Sequence, residues 1–175
     1  KASSHMSHQC CYGIDKPSVT FSTSRDFHRL YDWFVAQKGF NFRLNTEMKA
    51  KVAELKKETK NDIEWALNIR DYIYDAVRLS NVPLRDGAYK IQSPVEVWER
   101  NIGNALEQNL MMSAMLMEAG INASLVAVIP EAHYDTESGC LDDFIAYMVQ
   151  VNPREEKQFY ISAREKSNQN MLYNY

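Results

Sequence analysis

Apolar residues in the first part of the chain recur with a helical period. Between residues 24 and 38 they are spaced three and four apart, and Gly39 follows as a stop signal. A second helix is predicted to begin near Asn45 or Thr46 and to carry a solvated, lysine-rich face as far as Lys60. The apolar stripe of the first helix is Phe27, Leu30, Tyr31, Phe34 and Val35.

Three short motifs predict where the later helices begin. In each motif a Ser or Asn stands three residues before a Glu, which is the spacing of a capping box. Apolar side chains surround the last of these helices, so we expect it to be buried on nearly all sides and to end at Gly120. The three pairs are Asn61 with Glu64, Ser93 with Glu96, and Asn104 with Glu107.

The pattern changes to strands after Gly120. Residues 123–129 form an apolar run that ends at Pro130, and a polar loop separates it from a second predicted strand at 144–151. A turn then leads to a third strand at 158–162, which we expect to pair with the second as a hairpin. Helices followed by an antiparallel sheet, with one buried helix packed on it, predict an α+β fold.

Length and charge narrow the class of protein. The 175 residues suffice for one ordinary core, so we expect an irregular segment at 1–16 and one domain at 17–175. A net charge of −3 provides no basic field for nucleic acid, and no apolar run is long enough to span a membrane. Because the chain begins with Lys1 rather than Met, we expect it to be cut from a longer precursor.

The cysteines do not predict a disulfide framework or a metal site. Cys10 and Cys11 are adjacent and could bond to each other only with strain, which leaves three unpaired thiols with Cys140. His5 and His8 lie near the first two, but the spacing lacks a C-x-x-C pattern. We therefore expect neither a metal nor a cofactor.

The sequence around the buried helix resembles the transglutaminase-like superfamily, whose core is papain-like. Bacterial members begin this helix with a pattern like GDCKDKALLL and end it with LLREAGI, whereas this chain has GNALEQNLMM at 103–112 and MLMEAGI at 115–121. The resemblance covers about residues 17–164. It implies a domain of a larger exported protein, periplasmic or on the cell surface, with flanking domains and an unidentified protein or peptide as partners.

The same resemblance assigns three catalytic positions. Members of the family use a Cys at the start of the buried helix, a His on a neighbouring strand and an Asp on the next strand. The matching positions are Ala105, Ala146 and Ser162, and a shift of one residue along the second strand brings in Tyr147 or Ile145, neither of which is an imidazole. A methyl group cannot attack a carbonyl, so the resemblance implies a catalytically inactive domain that acts as a structural or interaction module.

A second interpretation is that the chain is an enzyme, namely a thiol-dependent amidase, peptidase or acyltransferase that uses Cys140 with His133. Their loop offers no helix terminus to lower the thiol pKa, so we expect a plain polar loop. His28 is expected on the solvated side of the first helix. The nearby acidic residues, which lack a regular calcium-ligand pattern, are Glu131, Asp135, Glu137, Asp142 and Asp143.

Two further expectations concern the core. The three tryptophans fall on predicted helices and should fill the core or its margin. If the cleft of the family persists, the small side chains of Ala105 and Ala146 leave an apolar recess that could accept a peptide or the edge of a glycan. The tryptophans are Trp33, Trp65 and Trp98.

Overall fold

Helices precede the main sheet, as the sequence predicts. The computed structural model describes residues 27–57, 59–131, 141–154, 157–166 and 172–173, and every structural statement below refers to these. None of the helices in this part of the chain is both long and apolar enough to cross a membrane. The helices are α1 (Phe27–Val35), α2 (Thr46–Lys56), α3 (Asp62–Ala76), α4 (Pro94–Arg100) and α5 (Ala105–Glu118).

The starts of α4 and α5 follow the predicted capping boxes. The Ser93 hydroxyl accepts the N–H of Glu96, whose carboxylate accepts the N–H of Ser93 in return. Asn104 and Glu107 form the same reciprocal pair at α5. Because each box satisfies two backbone donors that a helix start leaves without partners, these residues fix where the two helices begin.

The boundary between α2 and α3 departs from the prediction in two ways. The second helix ends at Lys56 rather than near Lys60. Asn61 does cap α3 by accepting the N–H of Glu64, but the Glu64 carboxylate accepts the N–H of Lys60 at 2.8 Å instead of that of Asn61. The cap is therefore one-sided, and the Glu side chain holds the loop that enters the helix.

The three predicted strands are neighbours in a four-stranded antiparallel sheet. They are β3 (Asn122–Val128), β4 (Ala146–Asn152) and β5 (Phe159–Ile161), each within two residues of its predicted bounds. The sheet order is β3-β4-β5-β6, and β4 and β5 pair as the expected hairpin. Sequence patterning missed the two-residue strands β1 (Arg78–Leu79), β2 (Ile102–Gly103) and β6 (Leu172–Tyr173), since so short a run shows no period.

The buried helix α5 lies at the centre of the fold. Eleven successive residues, from Leu106 to Leu116, are buried, which confirms that this helix is enclosed on nearly all sides. Val149 and Val151 of β4 and Phe159 of β5 share the core with it. These strand residues alternate with more exposed neighbours, so one face of the sheet packs on α5 and the other does not.

The tryptophans divide between core and surface. Trp65 is buried and donates its indole N–H to the carbonyl of Val52 at 3.2 Å. Trp98 packs at the margin of the same core. The expectation for Trp33 is wrong, because this side chain is 53% exposed. The first helix buries Phe34 instead, and Trp33 points to another side of so short a helix.

Candidate functional site

The start of α5 is the position where the family resemblance places a nucleophile. Ala105 is the first residue of this helix and is partly buried. Directly before it, the Asn104 side chain accepts the N–H of Glu107 at 3.0 Å. The cap thus uses the N–H of Glu107, one of the backbone donors that a helix start leaves without partners.

The Glu107 carboxylate places a negative charge at the same helix end. It is almost fully buried, at 3% exposure, and accepts the N–H of Asn104 at 2.8 Å. Gln92 donates to it twice, from its backbone N at 2.8 Å and from Nε2 at 3.0 Å. A carboxylate at a helix N-terminus interacts favourably with the helix dipole, but it repels a second negative charge such as a thiolate or an oxyanion.

One turn further along α5, Asn109 joins the helix to the sheet. The ladder between β4 and β5 ends at the pair Val149 and Ile161. Two residues beyond, Asn109 Nδ2 donates to the carbonyl of Tyr147 at 3.1 Å, and Asn109 Oδ1 accepts the N–H of Ala163 at 3.0 Å. The side-chain amide thereby bridges the two strands where a direct ladder hydrogen bond would otherwise be expected.

Asn109 also reaches the helix start, since its Nδ2 donates to the carbonyl of Ala105 at 2.7 Å. The Ser162 hydroxyl lies at the same junction, where it donates to the carbonyl of Tyr147 at 3.4 Å and accepts the N–H of Arg164 at 3.2 Å. The structure therefore brings the backbone of the helix start and of both strands around one buried amide. The amide of Asn109 supplies hydrogen bonds that join the helix to both strands at this point.

Ala146 lies apart from that junction. It is the exposed first residue of β4, on the face opposite to the buried Val149 and Val151. The neighbouring residue, Tyr147, has its side chain on the buried face and lines a cavity together with Leu106 of α5. The residue of β4 that faces the start of the helix is therefore a tyrosine rather than an alanine.

That cavity has a volume of about 400 Å³ and lies between α1, α5 and the strands β3 and β4. Its walls are mainly aromatic and aliphatic, and neither Ala105 nor Ala146 lines it. The phenol of Tyr147 is poorly solvated here: burial, aided by the charge of Asp142, raises its pKa to about 12. We call this space the apolar cavity. The aromatic residues of its wall are Tyr31, Phe34, Phe40, Phe42, Phe144 and Tyr147.

Comparison with known proteins identifies a similar fold. No protein-family model matches the sequence, and no curated protein matches it. A solved structure from Parabacteroides distasonis, described as a putative protease, aligns with a TM-score of 0.56 and 20% sequence identity. The two share an α+β fold, which fits a papain-like core. The alignment covers 84% of this chain but 30% of the other, so this chain spans less than a third of that protein.

Several predicted site residues lie outside the described part of the chain. Within that part, His28 is exposed on α1, Glu131 is exposed, and no group of three His, Cys, Asp or Glu residues could hold a metal ion. The Cys140 and His133 pair is therefore a prediction that the structure does not address, as are the acidic loop and the domain boundary at residue 17. The residues outside the described ranges are His5, His8, Cys10, Cys11, His133, Asp135, Glu137 and Cys140.

Proposed function

We propose that this chain is a catalytically inactive transglutaminase-like domain that serves as a structural or ligand-interaction module of a larger exported protein. The observation that carries the proposal is the start of α5. A thiol enzyme of this architecture needs a nucleophile there, whereas this chain has Ala105, whose methyl group cannot attack a carbonyl.

The electrostatics of the helix start support the same proposal. A catalytic thiolate and its oxyanion both develop negative charge, and a helix N-terminus stabilises them only while that end is free. Here the buried Glu107 carboxylate already takes that place, held by Asn104 and Gln92. This arrangement stabilises the helix but disfavours a thiolate or an oxyanion at its start.

The apolar cavity supports an interaction role. Its volume of about 400 Å³ lies in the range of small-ligand sites, and its aromatic wall would bury an apolar group efficiently. The likeness to 30% of a longer protein supports a place among other domains. We propose that the cavity, rather than a recess between Ala105 and Ala146, receives the ligand.

The competing hypothesis, a thiol enzyme that uses Cys140, is tested by thiol reactivity. We expect a fluorescent iodoacetamide probe at pH 7 to label the protein at a rate within about tenfold of that of free cysteine, because an unactivated thiol is only slightly ionised at this pH. Mass spectrometry of the labelled peptides assigns the rate to each cysteine.

Two variants serve as controls for this experiment. Cys140→Ser removes the thiol in question, and His133→Ala removes the candidate base while leaving the cysteine in place. Rapid labelling of Cys140 that His133→Ala slows a hundredfold or so would show an activated thiol and overturn the proposal of an inactive domain.

A further inference from the structure

A second cavity, of about 330 Å³, lies on a different part of the molecule and is lined mostly by polar and charged residues. Three elements meet there: the 3-10 turn Lys38–Phe40, the loop that precedes α4, and α4 itself. Gly39 makes this meeting possible, because a Cβ at this position would lie 2.1 Å from the carbonyl oxygen of Ile91. We call this cavity the basic pocket. Its polar and charged lining residues are Gln37, Lys38, Lys90, Gln92, Glu96 and Arg100.

The contact between Gly39 and Ile91 brings two lysines to the lining of one cavity. Lys38 precedes the glycine and Lys90 precedes the isoleucine, so packing one backbone on the other sets both lysines at the same opening. Neither ammonium forms an ion pair with any residue that the structure describes. With Arg100, three positive side chains therefore surround a single cavity.

The carboxylate of Glu96 offsets part of this charge: hydrogen bonds from Ser93 and the positive charge of Arg100 lower its pKa. It accepts the N–H of Ser93 at 2.7 Å and the Ser93 hydroxyl at 2.9 Å as part of the α4 cap. Three cations and one carboxylate leave the pocket with a net charge of +2. Because like charges around one cavity repel each other, an anion bound there would relieve an unfavourable arrangement.

Arg100 is held with most of its donors unused. Its Nη1 donates to Gln92 Oε1 at 2.9 Å, and the amide of Gln92 in turn donates to the buried Glu107. A guanidinium has five N–H donors, so this bond orients the group without exhausting it. The pocket is thus anchored through Gln92 to the start of α5.

Gln37 adds an unsatisfied amide to the same wall. Its Nε2 is shielded from solvent and has no hydrogen-bond partner in the described part of the chain. A buried donor without an acceptor is unfavourable, and native proteins seldom leave one unexplained. Rotation about the last side-chain torsion, which is soft in Gln, would turn the NH₂ group towards the cavity.

We propose that the basic pocket binds a phosphate group, carried by a free phosphate or a phosphate monoester, between Lys38, Lys90 and Arg100. The net charge of +2 matches a dianion, and donors from several directions suit a tetrahedral group better than a planar carboxylate. Gln37 supplies a further hydrogen bond when the anion is present.

Isothermal titration calorimetry with the full chain tests this site. Inorganic phosphate and glycerol phosphate are titrated at constant ionic strength adjusted with chloride, and acetate is the planar comparison. We expect both phosphates to bind, acetate to bind at least about tenfold more weakly, and Lys38→Ala or Lys90→Ala to weaken phosphate about tenfold. Tighter binding of glycerol phosphate would identify a monoester as the source.

Two further variants make the result decisive. Lys57→Ala removes an exposed lysine at the end of α2, away from the pocket, and should leave phosphate affinity unchanged. Gln37→Leu should weaken phosphate binding and yet raise the unfolding midpoint without phosphate, because it removes the unsatisfied donor. Absence of phosphate binding, an equal response to acetate, or an equal loss in Lys57→Ala would overturn the proposal.

Discussion

A single buried side chain, Asn109, accounts for much of how the helix and the sheet are joined. Its amide makes three hydrogen bonds, to the backbone of α5, of β4 and of the segment after β5. Of these partners, the N–H of Ala163 is buried and could not turn to water if the amide were lost. This asparagine lies one turn along α5 from Ala105, where the family resemblance places a nucleophile.

We expect Asn109→Ala to lower the free energy of unfolding by about 2–4 kcal/mol, because it leaves the buried N–H of Ala163 without its partner and removes one of the two donors to the carbonyl of Tyr147. Urea unfolding followed by circular dichroism measures the change. Asn122→Ala is the matched control, as this asparagine is exposed at the start of β3 and should change stability little. Equal losses in the two variants would contradict this role of Asn109.

At the scale of the element, α5 is delimited by local chemistry at both ends. The capping box at Asn104 starts it, and Gly120, with a φ of +75°, ends it. There the N–H of Ile121 donates to the carbonyl of Leu116 and that of Gly120 to Met117, the two hydrogen bonds of a Schellman motif. Both ends follow from short sequence signals, which explains why the helix was predicted well.

Gly120→Ala tests the C-terminal cap. A Cβ at this position would meet no atom within 4 Å, so the expected loss of about 1 kcal/mol reflects the left-handed backbone alone. Gly87→Ala is the control: it too has open space, but without a positive φ, and should change stability by less than about 0.5 kcal/mol. Thermal unfolding of both variants under the same conditions measures the two losses of stability. Equal losses would argue against backbone strain at Gly120.

At the scale of the whole molecule, the apolar cavity arises only when distant elements meet. Leu106 comes from α5, Ala127 from β3 and Tyr147 from β4, and Ala127 and Tyr147 are partners across the ladder. No local sequence pattern marks any of these residues as part of a cavity wall. Together they enclose a space that could bury an apolar ligand.

We expect Ala127→Trp to fill this cavity and to weaken binding of the neutral fluorescent probe Nile red roughly tenfold, equivalent to about 1.4 kcal/mol. The matched control is Ala146→Trp, which adds the same side chain to the opposite face of the neighbouring strand. Fluorescence titration measures both, with near-ultraviolet circular dichroism to confirm native packing. Equal binding by the two variants would show that the probe lies elsewhere.

Prediction from sequence located the elements that carry the candidate positions but not the faces on which their side chains lie. The start of α5 was placed well because a capping box is a local signal. In β4, however, successive side chains point to opposite faces, so a one-residue uncertainty decides between the exposed Ala146 and the cavity-lining Tyr147. The basic pocket was missed entirely, because Lys38, Lys90 and Arg100 share no motif and are distant in sequence.

The sequence by itself determined the α+β class, the extent of the buried helix and the alanine at its start, since periodicity, caps and residue identity are all local properties. Only the tertiary structure decided that Asn109 bridges the strands, that Glu107 is buried at the helix start, and that two cavities of different polarity exist. These features depend on contacts between residues tens of positions apart, and such contacts leave no pattern within any one segment.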